Sequence, residues 1–590
     1  MEGKNRNPMT TTNGYFTFVL HAHLPYVISH GRWPHGMDWL NEAAVECYVP
    51  LLSVLDRLLE EGHKPNIVIG ITPILMEQLS SEFFKDEIKN YLAAKIESSK
   101  ADIEEFKRHG NNDRAKVAEM WLDFFKATLQ QLRDKYNWNI LGAFVELQKK
   151  GAIEIITSAA THGYLPLLGK DECVSAQIRM GKQVYRKHCG QDPRGIWLPE
   201  CAYRPSYNWQ APVESDIPET TRKGIEEILH DNGINYFIVD SHLLDGSTPI
   251  GVYLDRFEGL KKLWEQSMAM NRPLELDTRR TPYDTYYVSS TGGEKPVAIF
   301  VRDPETGVQV WSGEHGYPGD GNYLDFHKKH FPGGNRYWRV TTAKSDLADK
   351  QEYEPTAVDS RLRENASHFC SIIRDTLAEA HRESGKPGIL IAPFDAELFG
   401  HWWFEGPQWL YHVLKELDTD EAVKLRTCSD ILVEKPPQHV ISIPEGSWGE
   451  GGFHWIWLNE QTKWTWRHIY EAEQDFVEFV NSHREKLTGE NDIVRVAKQT
   501  ARELLLLESS DWQFLISTWS ARDYAELRVA AHYDAFRRLL GIAKELADRG
   551  KTSDGDWLFV IDREEKTDCF KEINIEYWDS SSLSEKSVTN

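Results

Sequence analysis

Short apolar runs recur along the chain, and nearly every one stops at a residue with chemistry to offer. Tyr15–Leu20 leads into His21 and His23, Asn66–Ile71 into Thr72-Pro73, and the run from Ile153 into His162. Ile196-Trp197 passes through Leu-Pro into Glu200, YFIVDSHLL (236–244) and VAIFVRD (297–303) follow, and Gly388–Phe394 runs into Asp395. Unbroken runs of this length read as buried strands, whereas stretches such as Asn41–Glu61 repeat Leu and Val at helical spacing. Strands alternating with helices, with polar residues at strand C-terminal ends, predict a parallel α/β barrel whose site lies at that face.

Two stretches interrupt the alternation. Residues 80–150 are helical in pattern, highly charged and too long for one crossover, so they predict an inserted helical subdomain. Residues 244–292 are rich in Gly, Pro and Tyr and predict a lid loop, with a short helix near 258–269. The barrel is expected to span 15–430. A Trp-laden loop (447–466) then opens a C-terminal helical domain, 431–550, and 551–590 is expected to be an extension with an unstructured polar end.

A formal net charge of −23 argues against nucleic acid or an anionic membrane as partner, since either would repel the chain. It suits a neutral ligand such as a glucan, as does the excess of Trp. The seven Cys show no paired spacing and predict reduced thiols. The polar N-terminus lacks the apolar core of a signal peptide, and no segment has the length of a membrane span. The expectation is a soluble cytoplasmic protein, monomeric or a small homo-oligomer.

The stretch Ile391–Leu410 brings Asp395, Glu397 and His401 together with Trp402, Trp403 and Phe404. Carboxylates at a strand mouth walled by aromatics suit sugar cleavage: flat rings stack on pyranose faces, and a partly dry carboxylic acid holds its proton near neutrality. Glu200 occupies the same kind of position after an earlier strand. Two carboxyls from distant strand ends can serve as nucleophile and acid/base of a retaining glycosidase. His21 and His23 are two apart, so on a strand both point to one side. They read either as a hydrogen-bonded pair or, with Asp395 or Glu397, as a zinc site of the deacetylase or mannosidase kind. Trp33, Trp311, Trp448 and Trp457 lie in loops and are candidate sugar platforms; Tyr253 sits in the lid loop. Cys201 reads as a buried inert thiol.

HAHLPYV (21–27), GITP (70–73), THGYLP (161–166), WLPECAYRP (197–205), APFDAELFGHWWFEGP (392–407) and SWGEGGFH (447–454) resemble, in order, the motifs of glycoside hydrolase family 57. The likeness spans about residues 15–545 and is nearest to the family's α-glucan-branching members. It implies a (β/α)7 barrel with an inserted helical domain and a C-terminal helical domain, and a retaining mechanism without metal or other cofactor. By that resemblance Glu200 is the nucleophile and Asp395 the acid/base, while His21, His23 and His162 surround the cleaved glucose. Trp33, Trp311, Trp448 and Trp457 then match the family's aromatic glucan contacts, and Trp403, beside Asp395, is a further candidate substrate contact. Tyr253 becomes the lid-tip residue favouring transfer over hydrolysis, although the segment Asp255–Tyr287 is longer than the family's pattern. The implied activity is branching of amylose and glycogen. The rival readings are an α-amylase or 4-α-glucanotransferase on the same scaffold, the zinc enzyme, and a non-catalytic glucan binder.

Overall fold

The computed structural model describes residues 12–245, 257–270, 280–312, 316–342 and 344–583. Seven parallel strands, taken in chain order, form its centre: β1 (Gly14–Ala22), β2 (Ile67–Ile71), β3 (Ile153–Ile156), β4 (Gly195–Ile196), β5 (Tyr236–Val239), β6 (Val297–Val301) and β7 (Gly388–Asp395). Neighbours in sequence are neighbours in space. β1 pairs with β2, β2 with β3, β4 with β5, β5 with β6, and β7 returns to β1. Single parallel bridges, Thr157 with Ile196 and Arg302 with Ile391, close the two remaining seams. The result is a (β/α)7 barrel. Its strands are mostly apolar because the interior and the surrounding helices cover both faces, as the full burial of β2, β5 and β6 shows, with Thr17 in β1 and Glu154 in β3 as polar positions inside them.

The register brings the chemistry to one level. His21 pairs with Asp395 across β1 and β7, and with Gly70 across β1 and β2, so the acid and the imidazole sit at the same mouth. The first crossover helix, Met37–Ala43 continuing as Val49–Glu60, contains a wide turn at Ala44–Tyr48. Such a turn re-aims side chains. Here Cys47 Sγ reaches the Ala396 carbonyl at 3.0 Å and Tyr48 donates to Glu397.

Residues 80–150 hold a helical hairpin, Glu82–Arg108 and Asn112–Gln130, whose starts are capped by Ser81 and Asn111, followed by the helix Ile140–Lys149. The long connection between β6 and β7, unforeseen as a structural unit, lies over this hairpin. Trp121 Nε1 donates to the Arg336 carbonyl at 2.7 Å and Lys95 Nζ to that of Gly333 at 2.9 Å. A short strand, Tyr286–Val288, pairs antiparallel with β6, and the helix Glu258–Met270 lies within the expected lid stretch.

Beyond residue 460 the chain is helical: Lys463–Ser482, Asp492–Leu507, Asp511–Ser517, Arg522–Arg549 and Asp554–Lys566. The part after 550 is closely tied down. Cys569, Phe570 and Trp578 are buried, the Asp568 N–H donates to Tyr26 Oη at 3.1 Å, and the Phe570 N–H to Glu77 Oε2 at 3.1 Å. All seven cysteines are buried and unpaired. Among the described residues, no helix is long and apolar enough to cross a membrane.

Candidate active site

A cavity of about 840 Å³ opens at the C-terminal mouth of the barrel. His21, His23, His162, Glu200, Arg302, Asp395 and Glu397 reach it from the barrel, and Trp448, Trp457, Asp511 and Phe514 from the later part of the chain.

Glu200 is held in the left-handed region at φ 61° and ψ 24°, as is His162 at φ 58°. Non-glycine residues rarely stay there unless the surroundings hold them. Both are braced from beyond residue 440: the Trp448 N–H donates to the Glu200 carbonyl and the Ser510 N–H to that of His162, each at 3.1 Å. The Glu200 carboxylate accepts from Trp448 Nε1 at 2.9 Å and from Ser510 Oγ at 3.2 Å.

The hydrogen bonds dictate the proton positions. Ser510 donates to Glu200, so its oxygen accepts from His162 Nδ1 at 2.9 Å. Burial, with the nearby His23 charge, keeps His162 far below the usual histidine pKa and therefore neutral, so its Nε2 is an acceptor. His21 Nε2 donates to it at 3.0 Å. Burial likewise keeps His21 neutral, which leaves His21 Nδ1 bare, and that atom is buried without a partner. The chain of donors thus runs His21, His162, Ser510, Glu200. His23 differs. Burial opposes its charge, but Asp511, at 2.9 Å from Nε2, with Glu397 and Glu200 behind it, raises its pKa.

The two central acids have opposed surroundings. Burial, and secondarily Asp511, lifts Glu200 to about 7 against the pull of Trp448, His23 and Ser510. Asp395 is pushed well above the carboxylate range by burial and then by the charges of Glu397 and Glu200, with only Arg302 opposing. Glu200 is set among donors and Asp395 among acids. Such a division lets one carboxyl ionise while its neighbour keeps a proton.

His23, His162 and Asp511 have one ligand atom each within 4.8 Å of one another, the grouping a metal ion would use. It is not the His21, His23 and Asp395 or Glu397 set expected from the sequence. Its lone pairs are also committed: His162 Nε2 accepts from His21, and His23 donates to Asp511 and meets Thr72 Oγ1 at 3.0 Å. The arrangement fits a hydrogen-bonded network better than a ligand set.

The aromatic expectations divide. Trp311 and Trp448 line the cavity half-buried. Trp457 reaches its wall but is 1% exposed, its face stacked on Tyr164 at 4.4 Å. Trp33 is 71% exposed and lies outside the lining, although its neighbour Pro34 is part of it. Trp403 is corrected: it is buried in the core against Tyr323, Phe399 and Trp409, and Trp402 faces the cavity instead. Gly400, at φ 111°, turns the chain against the Glu46 carbonyl with no room for a Cβ, and the two indoles that follow separate, one outward and one inward. Tyr253 lies outside the described residues. Sequence reading missed Ser510, Asp511 and Phe514. In ESSDWQF (508–514) they look like an ordinary helix start, and nothing local marks them as facing the barrel.

The profile of glycosyl hydrolase family 57 matches residues 17–444, and that of the 1,4-alpha-glucan branching enzyme C-terminal region matches 468–578. The latter match crosses residue 550 and takes in most of the tied-down tail. The chain is 42% identical over 562 residues to the 1,4-alpha-glucan branching enzyme TK1436 of Thermococcus kodakarensis, covering 95% of this chain and 78% of that protein. The crystal structure of the family-57-type branching enzyme of Pyrococcus horikoshii superposes with a TM-score of 0.85 at 40% identity, covering 96% of this chain and 97% of that one. The α-amylase AmyC of Thermotoga maritima gives a TM-score of 0.77 at 28% identity, covering 96% and 99%.

Proposed function

Because the chain belongs to glycoside hydrolase family 57, we propose that its cleft cuts an α-1,4-glucan and rejoins the fragment as a branch. It is a 1,4-α-glucan branching enzyme, and its substrate is an α-glucan such as amylose. The observation that carries the residue roles is the division just described: Glu200 among donors, Asp395 among acids, both on one cavity.

In the first step a Glu200 carboxylate oxygen attacks the anomeric carbon from the face opposite the scissile oxygen. The C1–O4 bond breaks, Asp395 gives its proton to O4, and a β-linked glycosyl ester remains. In the second step the Asp395 carboxylate takes the proton of a 6-hydroxyl on another glucan. That oxygen displaces Glu200, leaving an α-1,6 bond after two inversions. The donors on Glu200 favour its anionic form against burial and stabilise it again as a leaving group; the acids around Asp395 keep it protonated until O4 needs the proton. Ser510, His162 and His21 orient Glu200. Trp311, Trp402 and Trp448 offer faces to the glucan. Ile456, Phe514 and Leu515 wall the cavity with apolar surface, which disfavours water as the second acceptor.

We assign this activity to glycogen assembly in the cytoplasm, acting without nucleic acid or membrane as partner. The strong negative charge and the unpaired buried thiols support that setting. The likeness to AmyC makes hydrolysis on the same scaffold the second reading. Incubation with amylose separates the two. Falling iodine colour with few new reducing ends, then short chains after a debranching enzyme, is the expected result. Reducing ends that rise in step with colour loss, and no debranchable product, would make the protein an amylase.

A further inference from the structure

Away from the cleft, we propose a divalent-metal clip formed by Asp102, Glu105 and His330, of the kind that takes zinc. Asp102 and Glu105 lie one turn apart on the helix Glu82–Arg108, so their side chains share a face. His330 comes from the connection between β6 and β7. Its Nε2 stands 3.7 Å from an Asp102 oxygen and 3.8 Å from a Glu105 oxygen. One donor atom from each residue lies within 4.8 Å of the others.

Those separations exceed a hydrogen bond, yet His330 Nε2 is buried and has no hydrogen-bond partner. A direct imidazole–carboxylate pair would close to about 2.8 Å. Ligands on a tetrahedral ion with bonds of about 2.0–2.2 Å stand about 3.4 Å apart. The gap therefore has room for an ion. The supporting groups are those of a metal site. Asp102 Oδ2 is occupied by Tyr337 Oη at 2.6 Å and Asn335 Nδ2 at 3.1 Å, which leaves Oδ1 for the ion. The imidazole lies between Phe106, at 5.1 Å, and Tyr337, at 5.7 Å, and its backbone is fixed by His330 N–H donating to the Asn335 carbonyl at 2.8 Å. Two carboxylates balance a divalent charge, and the imidazole favours zinc over calcium or magnesium. The clip would pin the connection that carries Phe326 to the cavity. It would also hold Arg336, which pairs with Glu46 at 2.8 Å and donates to the His401 carbonyl at 2.9 Å.

The test uses the full chain, stripped with a chelator and dialysed, then titrated with zinc in a calorimeter and with cobalt in an absorption cell. The expected result is one saturable equivalent, tetrahedral cobalt bands and a higher unfolding midpoint with zinc. His330→Ala should remove the binding. Glu105→Gln, at a half-exposed position that tolerates change, should weaken it at least about tenfold, since even loss of an outer-shell partner costs about 10- to 100-fold. Asp511→Asn, which breaks the other histidine grouping, should leave it intact. No saturable binding, or binding that survives His330→Ala and Glu105→Gln, would overturn the proposal. So would binding that disappears with Asp511→Asn alone. None of these readouts depends on glucan chemistry.

Discussion

Replacing Trp448 with Phe removes one N–H from Glu200, the proposed nucleophile, and little else. Indole Nε1 donates to Glu200 Oε2 at 2.9 Å, while the main-chain N–H of Trp448 donates to the Glu200 carbonyl at 3.1 Å and survives the change. A phenyl ring keeps most of the edge-on packing against Trp197. A hydrogen bond to a charged acceptor contributes about 1.5–3 kcal/mol, and about 1.4 kcal/mol corresponds to one pH unit. Losing the donor therefore raises the Glu200 pKa by about one to two pH units. With the indole in place that pKa is about 7, so roughly half of Glu200 is carboxylate at neutral pH. In the variant the ionised share falls to between about one in ten and one in a hundred.

Attack needs the ionised form, so activity is lost on the acid side and kept on the alkaline side. The expectation is a 5- to 50-fold fall in kcat/KM at about pH 7, with the acidic limb moved up by about one to two pH units. The gap to wild type should close to about twofold or less by about pH 9. The assay is kcat/KM on a soluble maltooligosaccharide from about pH 5 to about 9, because that ratio reports the free enzyme's titration. A drop by the same factor at every pH would refute the reasoning and make Trp448 a sugar contact only.

Asp511→Asn breaks the ion pair that joins the C-terminal helices to His23. The folded pKa of His23 stands above its ordinary value, so the pair's contribution is complete below about pH 6.5 and fades as pH rises through the folded value. Wild type should lead the variant by about 1.5–3 kcal/mol in mildly acidic solution, and the lead should shrink above neutrality. Urea midpoints at two pH values measure this, and a lead that grew with pH would contradict it. Trp403→Ala should cost about 3–5 kcal/mol through a core cavity and lower the unfolding midpoint. Trp402→Ala, at a 38% exposed position, should leave the midpoint nearly unchanged and raise KM for glucan. The reverse pattern in thermal melts and kinetics would show that the two indoles had been assigned to the wrong sides.

The barrel is legible in the sequence because a strand buried on both faces takes few polar residues except at its ends. That is why β1, β4 and β7 hand His21, Glu200 and Asp395 to the mouth in plain view. What stays hidden is set by tertiary contact. Asp511 reaches His23 across 488 positions, and a Ser-Asp pair starting a helix is indistinguishable from a cap until the helix is docked. The fate of adjacent Trp402 and Trp403 depends on the turn at Gly400, not on either residue's chemistry. The connection over the helical hairpin has no periodicity of its own; its place is fixed by contacts such as Trp121 with Arg336 and Asn335 with Asp102.

The account rests on Glu200 as the residue that bonds to the anomeric carbon, and azide rescue tests it most directly. Glu200→Gly and Asp395→Gly would each be given an α-maltooligosyl fluoride and sodium azide, and the anomeric form of the product read by NMR. With the nucleophile gone, azide enters the vacated face and yields the β-glycosyl azide. With the acid/base gone, Glu200 still forms its ester and azide displaces it to yield the α-glycosyl azide. β from Glu200→Gly and α from Asp395→Gly is the predicted pair. The opposite anomers, or no rescue of the Glu200 variant beside full rescue of the other, would contradict it.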